Sequence, residues 1–118
     1  MNLHITAIAE RDLIGAADYI EFNLHNPQAA DALLDEADDR IGSLADYPEQ
    51  CSLVDDPVLQ SWGIRFLTVK KYLAFYIVSE EKRTIFVVRF LHSKRDWITI
   101  LRASMTETEE LRRIVEGG

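Results

Sequence analysis

Among the basic side chains in the second half of this sequence, seven are candidates to hold an anion or move a proton in a site: Arg65, Lys70, Lys71, Arg89, His92, Lys94 and Arg95. His92 is the one whose charge changes near neutral pH. It ends an apolar run, residues 84–91, and Lys94, Arg95 and Asp96 follow closely. An imidazole among cations suits metal-free cleavage of a phosphodiester, with His92 moving a proton and Arg65 and Arg95 holding the phosphate. The same cations, with Lys70, Lys71, Arg89 and Lys94, suit a docking surface for an acidic partner or a phosphate. A plainer reading makes His92 the satisfied end of a strand and leaves the cations in water.

Arg89 needs a partner under every reading. It shares strand parity with Val87 and Leu91 in an apolar run. An unpaired buried charge is prohibitively costly, so it must reach solvent, Asp96 or an acid on a helix. Arg65, beside Phe66, has three possible roles: phosphate ligand, anchor for an acidic partner, or an edge-strand charge that discourages aggregation. Lys70 and Lys71 fall in a tight turn. Asp96 comes four residues after His92, which permits a contact if a helical turn starts there. Trp97, Ile100 and Leu101 then pack back, leaving Lys94 and Arg95 exposed as a basic corner.

Composition narrows the chemistry. The 118 residues suit one domain, residues 1–118, with a core over 1–102 and a helical tail over 103–118. The net charge is −7, but it is unevenly spread. Residues 1–60 carry two basic groups, Arg11 and Arg40, against thirteen acidic ones, a balance of −11. Residues 61–102 carry nine against three, a balance of +6. This split predicts a basic three-strand surface backed by acidic helices. Cys51 is the sole cysteine, which excludes an intrachain disulfide and fits a reducing cytosol. One cysteine and three scattered histidines make no zinc pattern, and no glycine-rich phosphate loop is present, so no metal or cofactor is implied. No apolar window is long enough to span a membrane, and MNLHITAIAERD has no secretory pattern.

The elements that must position these residues follow from periodicity. After a short strand over residues 3–5, Thr6 is a candidate helix cap. Leu13, Ala16, Ala17, Ile20 and Leu24 then recur at helical spacing. Asn26-Pro27 restarts a second helix with Ala30, Leu33, Leu34, Ala37, Ile41 and Leu44 on one stripe. The short link makes the two an antiparallel hairpin. Residues 48–63 read as an irregular connection. Runs over 64–69, 72–78 and 84–91, separated by polar turns, form an antiparallel meander with the middle run central. A last short helix is expected over 106–115, capped by Thr106. The fold class is α+β, a helix hairpin packed on a small, mostly antiparallel sheet.

In this order the segments resemble the RelE/ParE superfamily, the toxins of type II toxin–antitoxin systems. The resemblance runs over about residues 3–101. It is carried by AERDL in the first helix, NPQAADALLDEADDRIGSLADYPE in the second, GIRFLTVKKYLAFYIV in the sheet and RFLHSKRDWITIL at its end. It implies a cytoplasmic toxin and a cognate antitoxin that wraps it in a hetero-oligomer. RelE-like members cut mRNA on the ribosome, whereas ParE-like members act against DNA gyrase. In many RelE-like nucleases an arginine follows the aromatic residue of the central strand. Here that pair is Tyr72-Leu73, and the run is closer to the ParE-type pattern. The resemblance therefore implies a gyrase-binding toxin of the plasmid-stabilisation kind. Two alternatives stay open: a ribosome-dependent mRNA endoribonuclease using His92, Arg65 and Arg95, and a non-toxic binding domain of the same fold.

Overall fold

The structure, a computed structural model, describes residues 1–117. Strand β1 (Asn2–Ile5) leads into helix α1 (Ala7–Asp18), and the Thr6 hydroxyl accepts the Ala9 amide at 3.3 Å as its cap. The helix then widens into a π-helical turn, Tyr19–Asn23, in which the Leu24 amide reaches back to the Tyr19 carbonyl at 3.1 Å. Asn26 caps helix α2 (Pro27–Gly42) by accepting from the Ala29 amide at 3.0 Å, with proline at the first helical position. The predicted antiparallel hairpin is therefore present. It buries Ala9, Leu33, Ala37 and Ile41.

Strands β2 (Ile64–Val69), β3 (Tyr72–Ser79) and β4 (Thr84–His92) form the expected antiparallel meander. β1 joins it in parallel on the outer side of β4, giving the order β1-β4-β3-β2. The hairpin packs on one face, over Leu67, Val69, Ala74, Tyr76, Ile85 and Val87. The connection over 48–63 is less irregular than expected, because Leu53 bridges to Arg65 and Pro57–Ser61 form a short helix, α3.

Four expectations need correction. The C-terminus is two helices, α4 (Trp97–Glu107) and α5 (Glu109–Glu116), in place of one over 106–115. Thr106 lies inside α4, and the helix is capped by Asp96, which accepts the Thr99 amide at 3.4 Å. Nor do residues 103–118 trail from a finished core. Leu101, Met105 and Leu111 are buried with Ile64, Phe75, Val88 and Leu91 in a second cluster on the other face of the sheet. With both faces covered by helices, the cations do not form a sheet surface. Finally, the β3–β4 register passes from Phe75↔Arg89 to Tyr76↔Val87, so Val88 is an extra residue in β4. Such a bulge reverses side-chain parity. Val87 lies in the first cluster and Leu91 in the second, so they do not share a face as the sequence parity predicted.

Candidate functional site

The register pairs Tyr72 with His92, so the β2–β3 turn and the end of β4 meet at one end of the sheet. The Tyr72 ring stacks on Phe90 at 5.1 Å and 9°, and meets His92 edge-on at 5.1 Å and 75°. The Ser93 amide donates to the Lys71 carbonyl at 2.9 Å, tying the turn to the segment after β4. Lys70 adopts a φ of 54°, unusual for a side chain other than glycine. Glu36 of α2 holds it there, accepting the Lys70 amide at 3.1 Å with the ammonium 4.0 Å away. His92 is fixed as well. Its Nδ1 accepts the Lys94 amide at 3.1 Å, so a neutral ring carries its proton on Nε2. Burial, reinforced by Tyr19, raises the Tyr72 phenol above its usual ionisation range.

Two adjoining cavities share Tyr19, Tyr72 and His92 and so make one depression. The first, about 330 Å³, has an apolar floor that includes Ile20, Leu24 and Leu33, with Lys70 and Lys71 at its edge. The second, about 470 Å³, adds Arg11, Asp12 and Arg95. The charged residues of the whole depression are therefore four cations and one carboxylate, and that carboxylate is already used by Arg89. Among the described residues, Arg11, Lys71, Lys94 and Arg95 belong to no ion pair.

The structure brings together Lys70, Lys71, His92 and Arg95. Lys94 is exposed beside them but lines neither cavity. Arg65 lies elsewhere, five residues before the turn and so roughly 16 Å along the strand. Its Nη1 donates to the Cys51 carbonyl at 2.6 Å and straps down the 48–63 connection. The sequence trio of His92, Arg95 and Arg65 is thus not one constellation. Arg89 is not a surface cation either. Its Nε and Nη2 donate to Asp12 at 2.7 and 2.9 Å, and its Nη1 donates to the Ser104 hydroxyl at 2.6 Å. The acid on a helix is its partner, and the expected alternative, Asp96, caps α4 instead of meeting Arg89 or His92.

Sequence periodicity missed Arg11 and Tyr19 and misplaced Leu24. A straight helix would turn Leu24 inward, but the π turn leaves Tyr19, Phe22 and Leu24 at 53%, 63% and 56% exposed. Their one visible signal was three large apolar residues crowded before the Asn26-Pro27 restart. Among the described residues, no group of three His, Cys, Asp or Glu side chains is placed to hold a metal, and no helix is long and apolar enough to cross a membrane.

The family model for the ParE toxin of type II toxin–antitoxin systems, parDE, matches residues 3–97. No curated relative matches the chain in sequence. A chain of the solved chromosomal ParDE toxin–antitoxin system from P. aeruginosa is similar in structure. Its TM-score is 0.63 at 21% identity, over 78% of this chain and 95% of that one.

Proposed function

The chain belongs to the ParE toxin family of type II toxin–antitoxin systems, and from that premise we propose that it is a cytoplasmic toxin that poisons DNA gyrase by binding it and that a cognate antitoxin neutralises it. One observation carries this reading: the depression at Tyr72 is equipped to hold a partner and poorly equipped to cleave RNA. Cleavage of a phosphodiester without a metal needs a base and an acid on either side of the reacting phosphate. The depression supplies one imidazole, whose Nδ1 is taken by the Lys94 amide, and a phenol that burial keeps from ionising. Arg65, the third residue of a nuclease set, is strapped to Cys51 outside the depression. Exposed aromatic side chains and arginines, here Tyr19, Phe22, Arg11 and Arg95, are instead usual parts of a protein–protein contact.

The convergence of Lys71, His92 and Arg95 supports a second reading, ribosome-dependent mRNA cleavage. Two assays on the induced protein separate them. Purified gyrase without ribosomes should accumulate trapped, cleaved DNA when the protein is added. Translated mRNA should stay intact. His92→Gln keeps the size and polarity of the side chain, so toxicity should change by less than ~3-fold, whereas loss of a general acid or base lowers a rate by ~100-fold or more. Cleaved mRNA without gyrase damage, abolished by His92→Gln, overturns the proposal.

A further inference from the structure

We propose that Cys51 is an oxidation site, where a hydroperoxide leaves a sulfenic acid that Tyr76 and Arg65 hold. The site lies at the β2 edge of the sheet, outside the depression at Tyr72, and the inference does not depend on the toxin's target. Its first support is a buried polar atom that the fold leaves without a role. Tyr76 is 0% exposed, and among the described residues its hydroxyl has no hydrogen-bond partner. A donor buried in this way costs stability until something accepts from it. The hydroxyl lies against Cys51, which packs on the same cluster. A thiol sulfur accepts a hydrogen bond only weakly, whereas an oxygen carried on that sulfur accepts well. Burial, followed by the influence of Cys51, raises the Tyr76 phenol well above its ordinary value, so it stays protonated and able to donate.

Arg65 gives the second support. The β2–β3 register sets it opposite Tyr76, which places both side chains on the same face of the sheet. Its Nη1 donates to the Cys51 carbonyl at 2.6 Å, and among the described residues the guanidinium belongs to no ion pair. Further N–H groups remain for an oxygen on the sulfur, and a charged donor makes the stronger bond. Leu53 bridges to Arg65, and the Phe66 amide donates to the Ser52 carbonyl at 3.2 Å. Cys51 is therefore pinned against β2 before any reaction. It is also partly exposed, which gives an oxidant access.

The step balances without a cofactor. The Cys51 sulfur takes the terminal oxygen of the hydroperoxide, the O–O bond breaks, and water or an alcohol leaves with the thiol proton. Sulfur loses two electrons and the peroxide gains them. Cys51 is the sole cysteine of the sequence, so the return to the thiol needs a small thiol from solution.

The test treats the purified full chain with hydrogen peroxide and traps the sulfenic acid with a cyclic diketone. Peptide mass spectrometry locates the adduct, and Cys51→Ala separates it from oxidation at Met1 and Met105. Without added thiol, the wild-type sulfenic acid should outlive that of Tyr76→Phe by ~5-fold or more, the worth of one hydrogen bond. Arg65→Gln should shorten it by a similar factor. Melting supplies a readout that plain packing would not move. Reduced Tyr76→Phe should melt at or above the wild type, because it deletes only an unpartnered hydroxyl. In the oxidised proteins that order should reverse. A wild type that yields no adduct at Cys51, or a Tyr76→Phe lifetime within ~2-fold of the wild type, overturns the proposal. So does a melting order that is the same in both redox states.

Discussion

The two faces of the sheet are buried in different ways. On one face the α1–α2 hairpin lays a small-residue stripe, Ala9, Ala37 and the larger Leu33 and Ile41, over Leu67, Ala74 and Val87. On the other, α3, α4 and α5 arrive separately and place Leu59, Leu101, Met105 and Leu111 over Phe75, Val88 and Leu91. The first cover is a single local unit whose pattern is written in consecutive residues. The second is assembled from three pieces, and polar clamps join them. Asp56 caps α3 and binds Arg102 of α4, while Glu110 of α5 accepts the Ala7 amide at the start of α1 at 3.0 Å and lies 3.3 Å from His4. Hydrophobic burial supplies the free energy on both faces. On the second, specific hydrogen bonds must also hold the pieces in place. The matched family region ends at Trp97, the first residue of α4, so most of this second cover lies outside it.

The largest effect expected from this contrast comes from removing residues 97–118. If the second cover is core, the truncated chain loses the packing of Leu101, Met105 and Leu111, each worth about 2–5 kcal/mol by the standard of Leu→Ala substitutions. Domain stabilities are commonly 5–15 kcal/mol, so no cooperative unfolding transition should remain in urea. A truncated chain that melts cooperatively near the wild-type temperature would make α4 and α5 accessories and dissolve the comparison.

A smaller effect tests the seam between the covers. β1 pairs only with the first part of β4, and beyond it α1 takes over that edge. The Asp12 carboxylate receives both the Arg89 guanidinium and the Phe90 amide, the latter at 3.0 Å, while Arg89 continues to Ser104 on α4. Asp12→Ala should cost up to about 3–5 kcal/mol, because it strands a guanidinium that is only 13% exposed and leaves a backbone amide unpaired. Asp12→Leu combined with Arg89→Met should cost less than Asp12→Ala alone, since no uncompensated charge is left. Urea titrations of both variants decide this. A double variant worse than the single one would show that the pair is favourable beyond mere compensation.

The same contrast explains what could be read in advance. The hairpin and the meander announce themselves through spacing, because each helix or strand carries its own period over consecutive residues. Asn26-Pro27 fixes the restart because a capping side chain and a proline need no tertiary context. The features that define the depression are of another kind. The π turn at Tyr19–Asn23 and the extra residue Val88 in β4 are choices of hydrogen-bond register, and neither leaves a periodic trace. They shift Leu24 out of the core and separate Arg89 from Val87, with which it shares parity in the sequence. Likewise Arg11 and Tyr19 come from the acidic half of the chain, so the charge balance that pointed to residues 61–102 concealed half of the site. Asp96 was legible as a polar residue at a corner. Only the helix that follows makes it a cap.

The smallest effect concerns the clamp between α3 and α4. Asp56 has an ordinary carboxyl value of 3.8, which the Arg102 hydrogen bond lowers, with further lowering by the Leu59 amide and partial opposition from burial. A carboxyl whose folded value lies below its unfolded one adds stability above the unfolded value. That contribution is lost as the pH falls through the ordinary value toward the folded one. Asp56→Asn can still accept the Leu59 amide but offers Arg102 no charge. The variant should therefore melt below the wild type at neutral pH, and the gap should narrow as the pH drops below about 4. Arg102→Met should melt below the wild type at neutral pH and should likewise close on it in acid. Comparing each variant with the wild type at every pH cancels whatever all three proteins share. A gap that stays constant between neutral pH and acid would mean that Asp56 serves only as a helix cap, and that the contact between α3 and α4 is held by burial alone.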